Sequence, residues 1–111
     1  MIRYALISLA VVGVFPIPQT SSAAAPVDFG RDVLPILSEK CFHCHGPDES
    51  HREAKLRLDV REHVFADRDG TRVVVPGKPK QSALLQRILS TDAHERMPPK
   101  SQTRQLTKAD I

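Results

Sequence analysis

The chain has 111 residues and a formal net charge of +3, which allows one small domain once a targeting segment is set aside. Aromatic residues make up only 5% and Trp is absent, so the core lacks large apolar side chains that a bound group would have to supply. The basic residues are spread along the chain rather than clustered, which excludes a nucleic-acid-binding surface.

The first 24 residues have the layout of a secretory signal peptide. Arg3 gives a positive start, residues 5–15 are uncharged and apolar, and Ser22-Ala23-Ala24 is a small-x-small cleavage site. The apolar run is too short to cross a bilayer as a helix, and an uncleaved anchor is the alternative. We therefore expect an exported, periplasmic or cell-envelope protein whose mature domain spans residues 25–111.

A helix is predicted over residues 28–40, leading into the first cysteine. Asp28 is a good capping residue, and apolar residues recur at helical spacing up to Cys41. Pro35 removes one backbone donor. Either the regular helix restarts at Asp32 with Pro35 in its first turn, or the helix is kinked.

The chain contains only two cysteines, Cys41 and Cys44, and His45 follows them directly. This CxxCH spacing is the attachment pattern of a c-type haem. One helical turn separates the thiols, so both can reach the two vinyl groups on one edge of a porphyrin and form thioethers. A neutral His45 imidazole would then lie beneath the iron as the proximal ligand. Export supports this interpretation, because such thioethers form outside the cytoplasm.

The segment after the motif predicts short elements joined by loops. Asp59 is a candidate cap for a short helix that reaches Phe65, and residues 67–70 form a turn. Residues 73–75 are too few to be more than an edge or extended segment. Pro79 stands at the first position of a helix that runs to about Ser90. Some of the apolar residues of these elements should line the haem.

The stretch Met97-Pro98-Pro99 supplies a candidate for the sixth iron position. Met97 is the only methionine left after signal removal, and its thioether opposite His45 would give the His/Met pair that raises a reduction potential. The two prolines restrict the backbone around it. His94 is the rival ligand, and bis-His ligation would lower the potential. The other histidines are interpreted as exposed: His43, His51 and His63.

The last residues predict the start of a helix. Thr107 followed by Asp110 is close to a capping box, with apolar Leu106 and Ile111 on either side. Only four residues follow the cap. We therefore expect a truncated C-terminal helix and a chain that is a fragment of a longer protein.

Six motifs follow one another in a recognisable order: Val27-Asp28-Phe29, Cys41-Phe42-His43-Cys44-His45-Gly46-Pro47-Asp48, Leu56-Arg57-Leu58-Asp59, Val75-Pro76-Gly77, Ser82-Ala83-Leu84 and Glu95-Arg96-Met97-Pro98-Pro99. Over residues 27–111 the chain resembles the Planctomycete-type cytochrome c domain. The resemblance implies a mainly α, loop-rich, small cytochrome c-like fold with covalent haem c. It implies Cys41 and Cys44 as attachment sites. His45 would be the proximal iron ligand and Met97 the distal one. In cytochrome c folds a C-terminal helix crosses the N-terminal helix, and family members usually carry the domain at the start of a longer exported protein.

Three functions from different classes remain open. The first is an electron-transfer module with one-electron redox at a His/Met-ligated iron, serving a redox partner protein or downstream domains of the same longer chain. This segment would then break no substrate bond and would not itself be an enzyme. The second is the haem domain of a redox enzyme or small-ligand sensor with an open or displaceable sixth position. The third is a zinc site or dithiol pair, although a second Cys/His pair at ligand spacing is missing.

Overall fold

The computed structural model describes residues 24–111, so the predicted signal peptide lies outside the described residues except for Ala24. The regular structure of the described part is mainly helical, and long loops join its elements, as expected. Its elements are a π-helical turn Phe29–Val33, α1 Leu34–Lys40, α2 Phe42–His45, α3 Arg61–Phe65, β1 Asp67–Arg68, β2 Thr71–Arg72, a 3₁₀ turn Pro79–Gln81 and α4 Ala83–Leu89. Across these residues, no helix has the length and apolar character needed to cross a membrane.

The N-terminal helical segment begins at the predicted cap. Asp28 Oδ1 accepts the backbone N–H of Arg31 at 2.7 Å. The backbone N–H of Asp28 in turn donates to Asp32 Oδ2 at 2.8 Å. Two donors that a helix start leaves without backbone partners are thus satisfied by side chains.

Pro35 explains why this segment has two parts. The N–H of Leu34 donates to the carbonyl of Phe29, which gives a wide π-helical turn before the regular helix. Pro35 then falls in the first turn of α1, where a proline is tolerated. The regular helix therefore starts at Leu34, two residues later than the predicted restart.

Cys41 lies at the junction of α1 and α2, and Cys44 lies within α2. The N–H of Cys41 donates to the Leu37 carbonyl at 2.9 Å and closes α1. The carbonyl of Cys41 then accepts the N–H groups of Cys44 at 3.1 Å and His45 at 2.9 Å. The CxxCH stretch is therefore a helical turn of its own, with its two cysteines three residues apart on that turn.

The predicted cap of α3 is wrong. Val60, whose side chain has no polar atom, occupies the cap position. The Asp59 carboxylate instead accepts from Arg57 Nε at 3.1 Å. A charge-assisted pair with a guanidinium two residues away is stronger than a bond to a neutral backbone N–H, so the carboxylate is drawn away from the helix.

Of the predicted turn at residues 67–70, Asp69 and Gly70 form the turn, whereas Asp67 and Arg68 belong to the first of the two short strands that it joins. β1 and β2 pair antiparallel, with Asp67 opposite Arg72 and Arg68 opposite Thr71. Asp69 and Gly70 have φ values of 54° and 84°. Positive φ at both central positions is what a two-residue hairpin of right-handed twist requires.

The single helix predicted from Pro79 is instead two elements separated at Ser82. Ser82 has an extended backbone and is only 5% exposed. Its Oγ accepts the N–H of Val75 at 2.9 Å and donates to the Lys78 carbonyl at 3.1 Å. The hydroxyl thus pairs with two backbone groups of the preceding loop, and α4 begins one residue after it.

The chain end forms a turn where a helix start was predicted. Asp110 Oδ2 accepts the backbone N–H of Thr107 at 2.7 Å and its hydroxyl at 2.9 Å. One half of the expected capping box is therefore present.

The apolar core of residues 24–111 is small. Leu58 and Val73 are its fully buried hydrophobic side chains, at 5% and 7% exposure. The interior between the elements is instead taken up by a cavity.

Candidate functional site

A cavity of about 640 Å³ lies between α2, the hairpin, α4 and the segment after residue 96. Its walls are mostly apolar, and they include Leu56, Leu58, Val73, Leu84 and Ile88. Pockets for drug-sized ligands and cofactors span about 300–1,000 Å³ and are lined in the same way. The cavity thus has the size and lining for one large, largely apolar group.

Cys41, Cys44 and His45 all line this cavity. The helical turn of α2 brings the three side chains to one wall. The backbone N–H of Leu58 donates to the His45 carbonyl at 2.8 Å, which ties this wall to the buried part of the chain.

The sequence suggested Met97 and His94 as rivals, and the structure places them differently. Met97 lines the cavity together with Pro98 and Pro99, and its N–H donates to the Arg87 carbonyl at the end of α4 at 3.0 Å. His94 is exposed and is not among the described residues that line the cavity. Its backbone N–H donates to Asp92 Oδ1 at 2.8 Å. The cavity therefore brings together the four residues Cys41, Cys44, His45 and Met97.

The environment of His45 favours a neutral imidazole. Burial lowers the pKa of the ring, and the positive charge of Arg68 lowers it further, while the Glu53 backbone and carboxylate act in the opposite direction. The Nδ1 atom of His45 is buried and has no hydrogen-bond partner among residues 24–111. A neutral ring with a lone pair is the form in which histidine binds iron. The chemistry of this wall therefore fits a haem.

The surroundings of Cys41 favour its thiol over its thiolate. Burial raises the pKa of the Cys41 thiol, and the nearby Cys44 raises it further. A reactive dithiol or a zinc site needs the thiolate, which such surroundings disfavour. Within the part of the chain that the structure describes, no three His, Cys, Asp or Glu side chains are grouped to hold a metal ion. The geometry gives the zinc and dithiol alternatives no support.

The remaining histidines are exposed, as predicted. His43 also reaches the rim of the cavity, and its ring centroid lies 4.8 Å from that of His51. His51 Nδ1 is 2.9 Å from Asp48 Oδ2. His63 lies on α3, outside the residues known to line the cavity.

The sequence analysis missed the charged residues of the cavity wall. They are Lys40, Arg68, Asp69, Arg87 and Arg104. A signal for the first of the arginines was present, because the dipeptide Asp69-Gly70 is typical of a two-residue hairpin. Such a hairpin would have put Arg68 and Thr71 on one face.

Comparison with known proteins places this geometry in a family. A family model described as Planctomycete cytochrome C matches residues 41–101, more than half of the chain. The match begins at the first cysteine and includes Met97. No curated protein and no solved structure matches the chain.

Proposed function

The chain belongs to the Planctomycete cytochrome C family, and from this premise we propose that it is a haem c-binding electron-transfer module with His45 and Met97 as the axial iron ligands. Membership implies haem-based electron transfer in general. The covalent attachment and the ligand pair are the specific parts of the proposal.

The observation that carries the proposal is the shared cavity. Cys41, Cys44 and His45 come from one helical turn, Met97 comes from a loop about fifty residues later, and all four line the same space. Burial holds His45 neutral, as an iron ligand must be. Met97 is anchored through its backbone to the end of α4, which supports a thioether ligand in a fixed place.

In this proposal each residue has a separate task. Haem c supplies a one-electron couple at its iron. Cys41 and Cys44 hold the group covalently, and His45 stays in place because it follows the tether directly. Met97 fills the sixth position, and a thioether there favours the ferrous state and raises the reduction potential. The apolar walls limit the access of water to the iron.

The setting is also part of the proposal. Residues 1–24 are a signal peptide, residues 25–111 are the haem-binding domain, and the protein works in the periplasm or cell envelope. A redox partner protein, or downstream domains of a longer chain, would take or give the electron.

Substitution of Met97 tests the ligand pair. In the ferric Met97→Ala protein we expect loss of the weak sulfur-to-iron charge-transfer band, and in the ferrous protein we expect carbon monoxide to bind. His94→Ala is the matched control, because His94 is a nearby candidate ligand outside the cavity lining, and its spectra should not change. A Met97→Ala spectrum identical to that of the unmodified protein would contradict the assignment. Carbon monoxide binding to the unmodified ferrous protein would favour the sensor or enzyme alternative.

A further inference from the structure

The hairpin brings one arginine to the cavity and keeps another away from it. Arg68 and Thr71 face each other across the strand pair, and both line the cavity. Side chains alternate between the two faces of a strand, so the neighbouring pair lies on the other face. That pair is Asp67 and Arg72, which bond to each other at 3.3 Å. With this register, the Arg72 charge is paired with Asp67 on the face away from the cavity, whereas the Arg68 guanidinium lies on the face that lines the cavity.

Among the described residues, two cations of the cavity wall, Arg68 and Arg104, lack the carboxylate partners that Lys40 and Arg87 have. Lys40 lies 2.8 Å from Glu39, and Arg87 lies 2.9 Å from Glu95, so both have carboxylate partners. Arg68 has no carboxylate partner within residues 24–111. Its Nη2 donates to the Ala54 carbonyl at 2.9 Å, and this neutral partner fixes the side chain without neutralising it.

The position of Arg68 relative to His45 is the second observation. Arg68 is half-buried, whereas Arg104, which also lines the cavity, is exposed. Arg68 and His45 line the same cavity. A half-buried positive charge therefore shares this space with the proposed proximal ligand.

The hydrogen-bond donors on this part of the cavity wall suit an anionic group. A guanidinium has five N–H donors, and the contact with the Ala54 carbonyl uses one of them. Its planar fork matches a carboxylate. The Thr71 hydroxyl on the same face adds another donor. Asp69 is the one acidic residue among the described residues that line the cavity, and it does not pair with Arg68. A haem brings two propionate carboxylates.

We propose that Arg68, assisted by Thr71, receives a propionate of the haem and is a positioning residue of the site. This inference rests on the proposed function and adds a specific contact to it. Because Arg68 is half-buried, its charge is only partly screened by solvent. A fixed positive charge beside the haem disfavours the ferric state, which carries one more positive charge than the ferrous state. Arg68 therefore raises the reduction potential.

The test compares two arginines of the same hairpin in the full chain carrying covalent haem. In Arg68→Gln we expect the equilibrium constant for reduction to fall about tenfold, which for one electron is about 59 mV. Arg72→Gln is the matched control, and its midpoint should shift by much less. Arg68→Lys keeps the charge and should recover most of the potential. Resonance Raman spectra should show a shifted propionate bending mode in both Arg68 variants, because each lacks the fork, but not in Arg72→Gln.

Equal midpoint shifts in Arg68→Gln and Arg72→Gln, or an unshifted propionate mode in Arg68→Gln, would overturn the inference. Should Arg68→Gln fail to retain haem, Arg68→Lys decides the question, because an unchanged propionate mode in that variant rejects the contact. The two proposals fail differently. Absence of covalent haem in the unmodified protein rejects the proposed function, whereas a normal His/Met spectrum with an insensitive Arg68 rejects only the propionate contact.

Discussion

Single residues of this site owe their chemical form to burial and to their nearest partners. His45 is held neutral because its ring is partly removed from water, and Cys41 stays protonated for the same reason. A neutral imidazole can bind iron, and a protonated thiol is inert until it meets a reactive group. Burial in the same cavity wall thus favours the uncharged forms of both Cys41 and His45, which suit different tasks.

Asp48, just after the motif, is a residue whose charge is stabilised locally. Its Oδ1 accepts from the Ser50 hydroxyl at 2.7 Å and from the Ser50 N–H at 2.9 Å, and its Oδ2 lies 2.9 Å from His51 Nδ1. The Ser50 hydroxyl first, and then His51, hold the pKa of this carboxyl well below its usual range. The carboxylate therefore stabilises the loop above the pKa of the unfolded chain and stops doing so as pH falls through the lower folded value.

Asp48→Asn should reveal this pH dependence. At neutral pH the variant should be less stable than the unmodified protein, and the gap should narrow below about pH 4, where Asp48 of the unfolded chain takes up a proton. The measurement is the free energy of unfolding in urea at a series of pH values. Ser50→Ala removes the largest contribution to the lowered pKa of Asp48 but keeps the backbone donor. Its free energy of unfolding should lie between those of Asp48→Asn and the unmodified protein. A gap that stays constant down to about pH 2 would contradict the account.

At the scale of elements, the short turn α2 depends on the glycine at its end. Gly46 ends the turn in an extended conformation, and a Cβ at this position would clash with the Phe42 carbonyl oxygen and lie 2.9 Å from Phe42 Cβ. Since the backbone of Phe42 belongs to α2 itself, relief of this clash requires the turn to move. The placement of His45 in the cavity therefore depends on the absence of a side chain at the next residue.

Gly46→Ala should destabilise the protein by about 1–3 kcal/mol through this overpacking. Gly30→Ala is the matched control, because its Cβ would lie at an ordinary 3.5 Å from Asp28 Oδ1, within a helical segment. That substitution should be neutral or stabilising by about 0.5–1 kcal/mol. Urea unfolding of the three proteins measures both effects, and equal stabilities of the two variants would show that the turn tolerates a side chain at residue 46.

Elements fixed by bonds between near neighbours in the sequence could be predicted, whereas elements fixed by more distant contacts could not. The Asp28 cap and the Pro35 boundary follow from bonds between residues at most five positions apart, and both predictions hold in substance. Ser82 interrupts the predicted helix because its hydroxyl bonds to Val75, seven residues away, and no periodic pattern shows such a contact. Asp59 was wrongly predicted as a cap because its carboxylate pairs with Arg57. Arg57 lies before Asp59, whereas capping patterns concern the residues that follow the cap.

At the scale of the whole molecule, the described part of the chain is built around a space rather than around a core. Leu58 and Val73 are its fully buried hydrophobic residues, while the cavity measures about 640 Å³. A domain of this size gains little from apolar burial alone, and a large apolar group held in the cavity would complete the interior.

The site itself was predictable to the extent that its residues sit in motifs. Cys41, Cys44 and His45 follow from their spacing, and Met97 follows from being the only methionine after the predicted signal peptide. Arg68 belongs to no such motif. Asp69-Gly70 indicates a hairpin, but the place of Arg68 in the cavity depends on the register of that hairpin. Candidate residues carried by one helical turn are visible in a sequence, whereas the place of a charge set by strand pairing needs the structure.

The measurement that tests the central claim most directly is the mode of haem attachment in the full chain, expressed with haem-attachment machinery. We expect the colour to stay with the protein after acid-acetone extraction, and the pyridine haemochrome spectrum to indicate two thioether bonds. The Cys44→Ala variant should give the spectrum of a single thioether. Haem that leaves with the acid acetone, so that colourless protein remains, would contradict the account.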